Sequence, residues 1–159
     1  MASGRSGILL RMSTKIVHSF GIIPVRATLS GVEMLLIHMY GSAGGTHWTF
    51  PKGRPEAGES PVQSALRECQ EEVGVVPQTI WEQTPLIESY TFTHNDVQIE
   101  KTVTYFIGLV TDGALTLQPE EIKEALWLPI QNVAEYLTHD SAKVVFEAAC
   151  LQLQKNGLY

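Results

Sequence analysis

Residues 53–75 read GRPEAGESPVQSALRECQEEVGV, and this stretch encodes a helix with both ends marked. Ser60 suits the N-cap, Pro61 the first helical position, and Gln63 completes a capping box. Val62, Ala65, Leu66, Cys69 and Val73 recur at helical spacing and form one apolar stripe. Gly74 follows the last of them and supplies the left-handed C-cap.

The polar side of the same helix carries Arg67, Glu68, Glu71 and Glu72. At about 100° per residue, Glu72 lies about 40° from Glu68 and Glu71 about 60° on its other side, so three carboxylates share one arc opposite the stripe. Two carboxylates about 5 Å apart repel by roughly 3 kcal/mol at an effective dielectric near 20. On an open helix face they splay into solvent. In a cleft they need a cation or a raised pKa. Carboxylate oxygens are preferred ligands of Mg²⁺, which also binds phosphates. The Gly- and Pro-rich loop over residues 51–59 sets Lys52 and Arg54 near the helix start, and helix N-termini favour phosphate.

Outward from this segment, residues 16–26 and 32–39 read as strands, with Ser30-Gly31 as the turn between them. Residues 40–46 are a glycine-rich loop leading into His47-Trp48-Thr49-Phe50. Residues 84–94 and 101–111 read as two paired strands joined at Asn95-Asp96, and residues 125–129 as a short last strand. A final helix begins at Asp140 or Ser141, with Val144, Val145, Ala148, Ala149 and Leu151 as its apolar content. This order gives a mixed α/β sandwich.

A chain of 159 residues suits a single domain over 1–159, with residues 1–13 expected as a flexible N-terminal extension and Met12 as an alternative start. A net charge of −6 argues against a general nucleic-acid binder, although a metal site can still recruit a nucleotide. Cys69 and Cys150 have no zinc spacing and imply no disulfide framework, which fits a reduced, cytoplasmic compartment. No apolar run reaches membrane-spanning length.

With these residues in register, the sequence resembles the Nudix hydrolase family, whose motif is G-x(5)-E-x(7)-R-E-U-x-E-E-x-G-U, U being a bulky apolar residue. Gly53, Glu59, Arg67, Glu68, Glu71, Glu72, Gly74 and Val75 match it. Cys69 departs mildly, filling an aliphatic slot as a small hydrophobe. The resemblance implies an α/β/α sandwich around a mixed β-sheet. It implies Glu68 and Glu72 as the principal Mg²⁺ ligands, with Mn²⁺ as a substitute. Glu71 would be a further ligand or water-activating group, the Gly53 carbonyl would join the metal, and Glu59–Arg67 would be a structural ion pair.

The flanks are similar to those of asymmetric diadenosine-tetraphosphate hydrolases: the lead-in His47 to Gly53, the segment Lys101 to Phe106, and Glu121 six residues before Trp127. That likeness implies Lys52, His47 and Lys101 as substrate contacts and Glu121 as a fourth catalytic carboxylate. Tyr90, Tyr105, His47 and Phe50 are candidates for adenine stacking or phosphate contact, although aromatics on strands, as Tyr105 and Phe50 are, are more often core residues. The implied reaction is Mg²⁺-dependent cleavage of diadenosine tetraphosphate to ATP and AMP by a monomer or weak homodimer. The alternatives are pyrophosphate removal from RNA 5′ ends, sanitation of nucleoside triphosphates, and a non-catalytic nucleotide-sensing domain. RNA-directed enzymes more often carry a glutamine-glycine lead-in where this chain has Lys52-Gly53.

Overall fold

The computed structural model describes residues 13–42 and 44–159. The expected N-terminal extension therefore lies outside the described residues, Ser13 excepted. Eight strands form one sheet: β1 (Thr14–Thr28), β2 (Gly31–Tyr40), β3 (Thr46–Thr49), β4 (Lys52–Gly53), β5 (Thr79–Ile80), β6 (Leu86–His94), β7 (Val97–Leu109) and β8 (Ile122–Pro129). Helix α1 (Pro61–Val73) covers one face, while α2 (Ile130–Tyr136) and α3 (Asp140–Lys155) belong to the other. The sandwich is thus α/β/α. The sheet is mixed, because β1 runs parallel to β7 while the other pairings are antiparallel.

A parting of strands at the sheet centre creates the site. β1 and β2 pair from Thr28↔Gly31 to Val25↔Met34 and then diverge. Into the opening β2 takes β3, through Ile37↔Thr49 to Tyr40↔Thr46. β1 takes β4, through Phe20↔Gly53 and Gly21↔Lys52. The loop after the short aromatic segment is thereby pinned in mid-sheet, with Lys52 and Gly53 facing the helix that follows.

Helix α1 forms as its residues dictate. The Ser60 hydroxyl accepts from the Gln63 N–H, and the Gln63 side chain returns the bond to the Ser60 N–H. Gly74 closes the helix at φ 72°. Ala65, Cys69 and Val73 pack on Ile22, Leu35 and Ile37. The β6–β7 hairpin turns on Asn95 and Asp96 at φ 50° and 61°, the two positive dihedrals a tight primed turn requires.

Three expectations change. The strand expected over 125–129 starts at Ile122, and α2 was not foreseen; it is seven residues long and has no side-chain cap. On α3, Val144 and Leu151 face solvent at 64% and 59% exposure, while the expected Val145 and Ala149 are buried together with Ala142, Phe146 and Leu153. That set follows the i, i+3, i+4, i+7 spacing of one face, and the hydrophobic core on that side of the sheet selects it.

Candidate active site

Glu68, Glu71 and Glu72 are not equivalent on the folded helix. Glu72 is 1% exposed, Glu68 largely covered, and Glu71 half exposed. The reading of a solvated acidic face therefore fails for two of the three. The Lys52 N–H donates to the Glu72 carboxylate at 3.3 Å. Burial first, and the Glu68 charge second, push the Glu72 carboxyl up to about 9. Burial also raises Glu68, against the pull of Arg67.

Arg67 organises the rest. Its guanidinium donates to Glu59 at 2.7 and 3.1 Å, to Glu68 at 3.1 Å, to Glu71 at 3.0 Å and to the Arg54 carbonyl at 2.9 Å. The hydrogen bond from Arg67 holds the Glu59 carboxyl below the usual carboxylate range. Arg67 and Glu59 thus clamp the loop over residues 54–59 onto the helix, the arrangement expected of a structural pair.

Glu121 reaches the site through the segment between β7 and β8. Thr116 N–H and Gln118 N–H donate to the Val73 and Glu72 carbonyls at 2.9 and 3.0 Å, and Tyr40 N–H donates to the Glu121 carbonyl at 3.0 Å. This docks residues 116–121 on the end of α1, where Glu121 adds to the negative field on Glu72.

These groups border a cleft of about 850 Å³ whose wall includes Glu68, Glu71, Glu121, Gly53 and Lys52, and also His47, Tyr90 and Lys101. Burial and the Lys52 charge lower Lys101 to about 7, and burial lowers His47 to about 4. Tyr105 does not reach the cleft. It is fully buried, with its hydroxyl 3.4 Å from Thr49 Oγ1 and 3.5 Å from Glu88. The expectation that it contacts substrate is corrected: residue 105 lies further along the same face of β7 as Lys101, where Phe50, Thr49 and Glu88 enclose it. Phe50 is likewise buried, packed edge-on against Tyr105 at 5.7 Å.

The cleft also contains residues that sequence reasoning passed over. His139 and Ser141, at the start of α3, close its far side, with the His139 ring 5.6 Å from that of His47. Ser141 donates to the buried Glu88 at 2.7 Å, tying α3 to β6. A histidine before a helix and a serine in its first turn read only as helix-end residues until α3 packs on the sheet. Ser19 is also on the wall. Its place in the strand expected over 16–26 says nothing of a pocket.

Among the described residues, no three His, Cys, Asp or Glu side chains already converge as a metal-binding group, because Arg67 holds Glu68 and Glu71. The donor chemistry nonetheless fits a hard divalent cation. The donors at hand are carboxylate oxygens and the Gly53 carbonyl. A Cβ at Gly53 would collide with the Glu68 carboxyl group, so the missing side chain is what lets that carboxylate lie on the backbone. The buried Glu72 carboxylate needs a positive neighbour to ionise at neutral pH.

A capped helix with paired buried carboxylates, set against a loop wedged in a mixed sheet, is the arrangement of the NUDIX domain, and the profile of that family matches residues 17–148. The chain belongs to this family of hydrolases, which generally use a divalent metal. It is 33% identical over 141 residues to the asymmetrical bis(5′-nucleosyl)-tetraphosphatase of Sus scrofa, covering 87% of this chain and 91% of that protein. The fold is similar to that of a C. elegans Ap4A hydrolase in a binary complex, with a TM-score of 0.72 at 22% identity, over 87% of this chain and 98% of that one. It is as similar to the NUDIX domain of Shewanella oneidensis NrtR complexed with ADP ribose, with a TM-score of 0.72 at 18% identity, over 87% and 89%. No helix among the described residues is long and apolar enough to cross a membrane.

Proposed function

We infer that this hydrolase acts on a nucleotide polyphosphate, with diadenosine tetraphosphate as the preferred substrate, ATP and AMP as products and Mg²⁺ as cofactor. One observation carries the reading: a single cleft has the carboxylates Glu68, Glu71 and Glu121 in its wall together with Lys52 and Lys101. The lysines suit a phosphate chain and the carboxylates suit the cation that accompanies it. The 33% identity to an asymmetrical bis(5′-nucleosyl)-tetraphosphatase supports the choice of substrate.

In this mechanism, water attacks one phosphorus of the bridge, and the bond from that phosphorus to the bridging oxygen breaks. One nucleotide leaves on that oxygen and the other keeps the new one. Mg²⁺, held by Glu68, Glu72 and the Gly53 carbonyl, would neutralise phosphate charge and acidify the attacking water. Lys52 and Lys101 hold the phosphate chain, and Glu71 and Glu121 are the wall carboxylates placed to accept the proton of the water. Tyr90, whose ring stacks on Phe92 at 6.0 Å, offers a face for a base. The same reading carries a single domain and a cytoplasmic setting.

The test is turnover of diadenosine tetraphosphate, 5′-triphosphorylated RNA and nucleoside triphosphates with Mg²⁺, followed by separation of products. ATP plus AMP from the first is the expected outcome. Two ADP would rule out asymmetric cleavage, faster turnover of RNA would favour the RNA-directed alternative, and no turnover of any would exclude the enzymatic reading.

The Lys101 ammonium adds a pH dependence. Its lowered value, about 7, means that the free enzyme loses this charge as pH rises through neutrality, while a bound polyphosphate favours the protonated form. KM should therefore climb above pH 7, by up to about tenfold per pH unit. Lys101→Met should have a higher KM at pH 6 and lose that slope. A wild-type and variant profile of the same slope would contradict the assignment.

A further inference from the structure

Ser19 is 1% exposed and lies on the cleft wall, yet its hydroxyl has no hydrogen-bond partner among the described residues. A buried hydroxyl without a partner is costly, so its surroundings matter. On β1 it lies between the strands that carry the two cleft lysines. β4 on one side pairs Lys52 with Gly21, and β7 on the other pairs Lys101 with Val17 and Val103 with Ser19. Residues 17, 19 and 21 share one face of β1. Both lysines line the same cleft, and the Lys52 charge is among the causes that hold Lys101 down. A Cβ at Gly21 would run into the Pro51 carbonyl and meet Lys52 Cβ and Tyr105 Cε1 at 2.8 Å. Neither lysine forms an ion pair among the described residues. The result is two cations with a spare hydroxyl donor between their strands.

We propose that Ser19 Oγ is a third anion donor of this cleft, giving its hydrogen to a phosphate oxygen bound between Lys52 and Lys101. The proposal rests on reading the cleft as a polyphosphate site and adds a residue which that reading did not contain. The entering anion draws the two ammonium groups to itself and accepts the hydroxyl hydrogen between their strands. Neither proton nor covalent bond is exchanged.

The experiment titrates inorganic tripolyphosphate calorimetrically into the full chain, in EDTA, for wild type and Ser19→Ala. The expected result is binding about tenfold weaker in the variant. Its Tm should be equal or slightly higher, since the change deletes an unpartnered hydroxyl. With nucleotide substrate and Mg²⁺, KM should rise by a similar factor while kcat stays within about twofold. Equal tripolyphosphate affinity in the two proteins, or none in the wild type, overturns the proposal. So does a binding loss accompanied by a Tm drop of more than about 5 °C, which would assign the residue to folding. Tripolyphosphate has no nucleoside, so an error in the nucleotide assignment leaves this test unaffected.

Discussion

Glu72→Gln should reduce kcat by about a thousandfold while the protein stays folded. The amide keeps the shape of the side chain and still accepts the Lys52 N–H, so the wedge of β4 against α1 survives. What is lost is a charge held where burial and Glu68 oppose it. The sign of the stability effect follows. A carboxyl raised from 4.5 to about 9 on folding contributes stability that is present below pH 4.5 and is lost as pH rises toward 9. Metal-free wild type should therefore melt at a lower temperature at pH 8 than at pH 5 through this group, and Glu72→Gln should flatten that dependence. Mg²⁺ should raise the Tm of the wild type at pH 8 and shift the variant little, since a cation that binds the native state stabilises it. Thermal melts with and without Mg²⁺, beside steady-state kinetics, measure both. Near-normal turnover in the folded variant would refute the role assigned to Glu72.

Gly53→Ala should cost about a hundredfold in kcat/KM, for a different reason. The added methyl falls on the Glu68 carboxyl group. That carboxyl is the far end of a flexible chain, so it swings away and the fold tolerates the change. The backbone pairing of Gly53 with Phe20 needs no special dihedral from glycine. The loss comes from a misplaced ligand, and displacements near 1 Å carry penalties of this size. The double variant Gly53→Ala/Glu68→Gln should lose no more activity than Glu68→Gln alone, because both changes disable the same group. Additive losses would show that Gly53 acts elsewhere.

Much of this site is local in sequence. Gly53, Glu59, Arg67, Glu68, Glu71 and Glu72 lie within one loop and one helix, and helical geometry alone brings the three glutamates onto one arc. The caps at Ser60 and Gly74 depend on near neighbours, so they too were legible. Tyr105 shows the limit. Its place in a lysine-bearing segment suggested a substrate contact, but Lys101 and Tyr105 share one face of β7, and which part of that face opens into the cleft depends on what covers it, here Phe50, Thr49 and Glu88. Val144 and Leu151 fail for the same reason: apolar character marks a helix, while the surface it meets decides which residues are buried.

The sequence by itself determined the carboxylate helix and its family, because capping, periodicity and motif spacing act over a few residues. Only the tertiary structure decided which glutamates lose solvent, that His139 and Ser141 join the cleft, and that Ser19 lies between two lysine strands. Burial, dielectric and strand register arise from contacts between segments distant along the chain, and no local pattern records them.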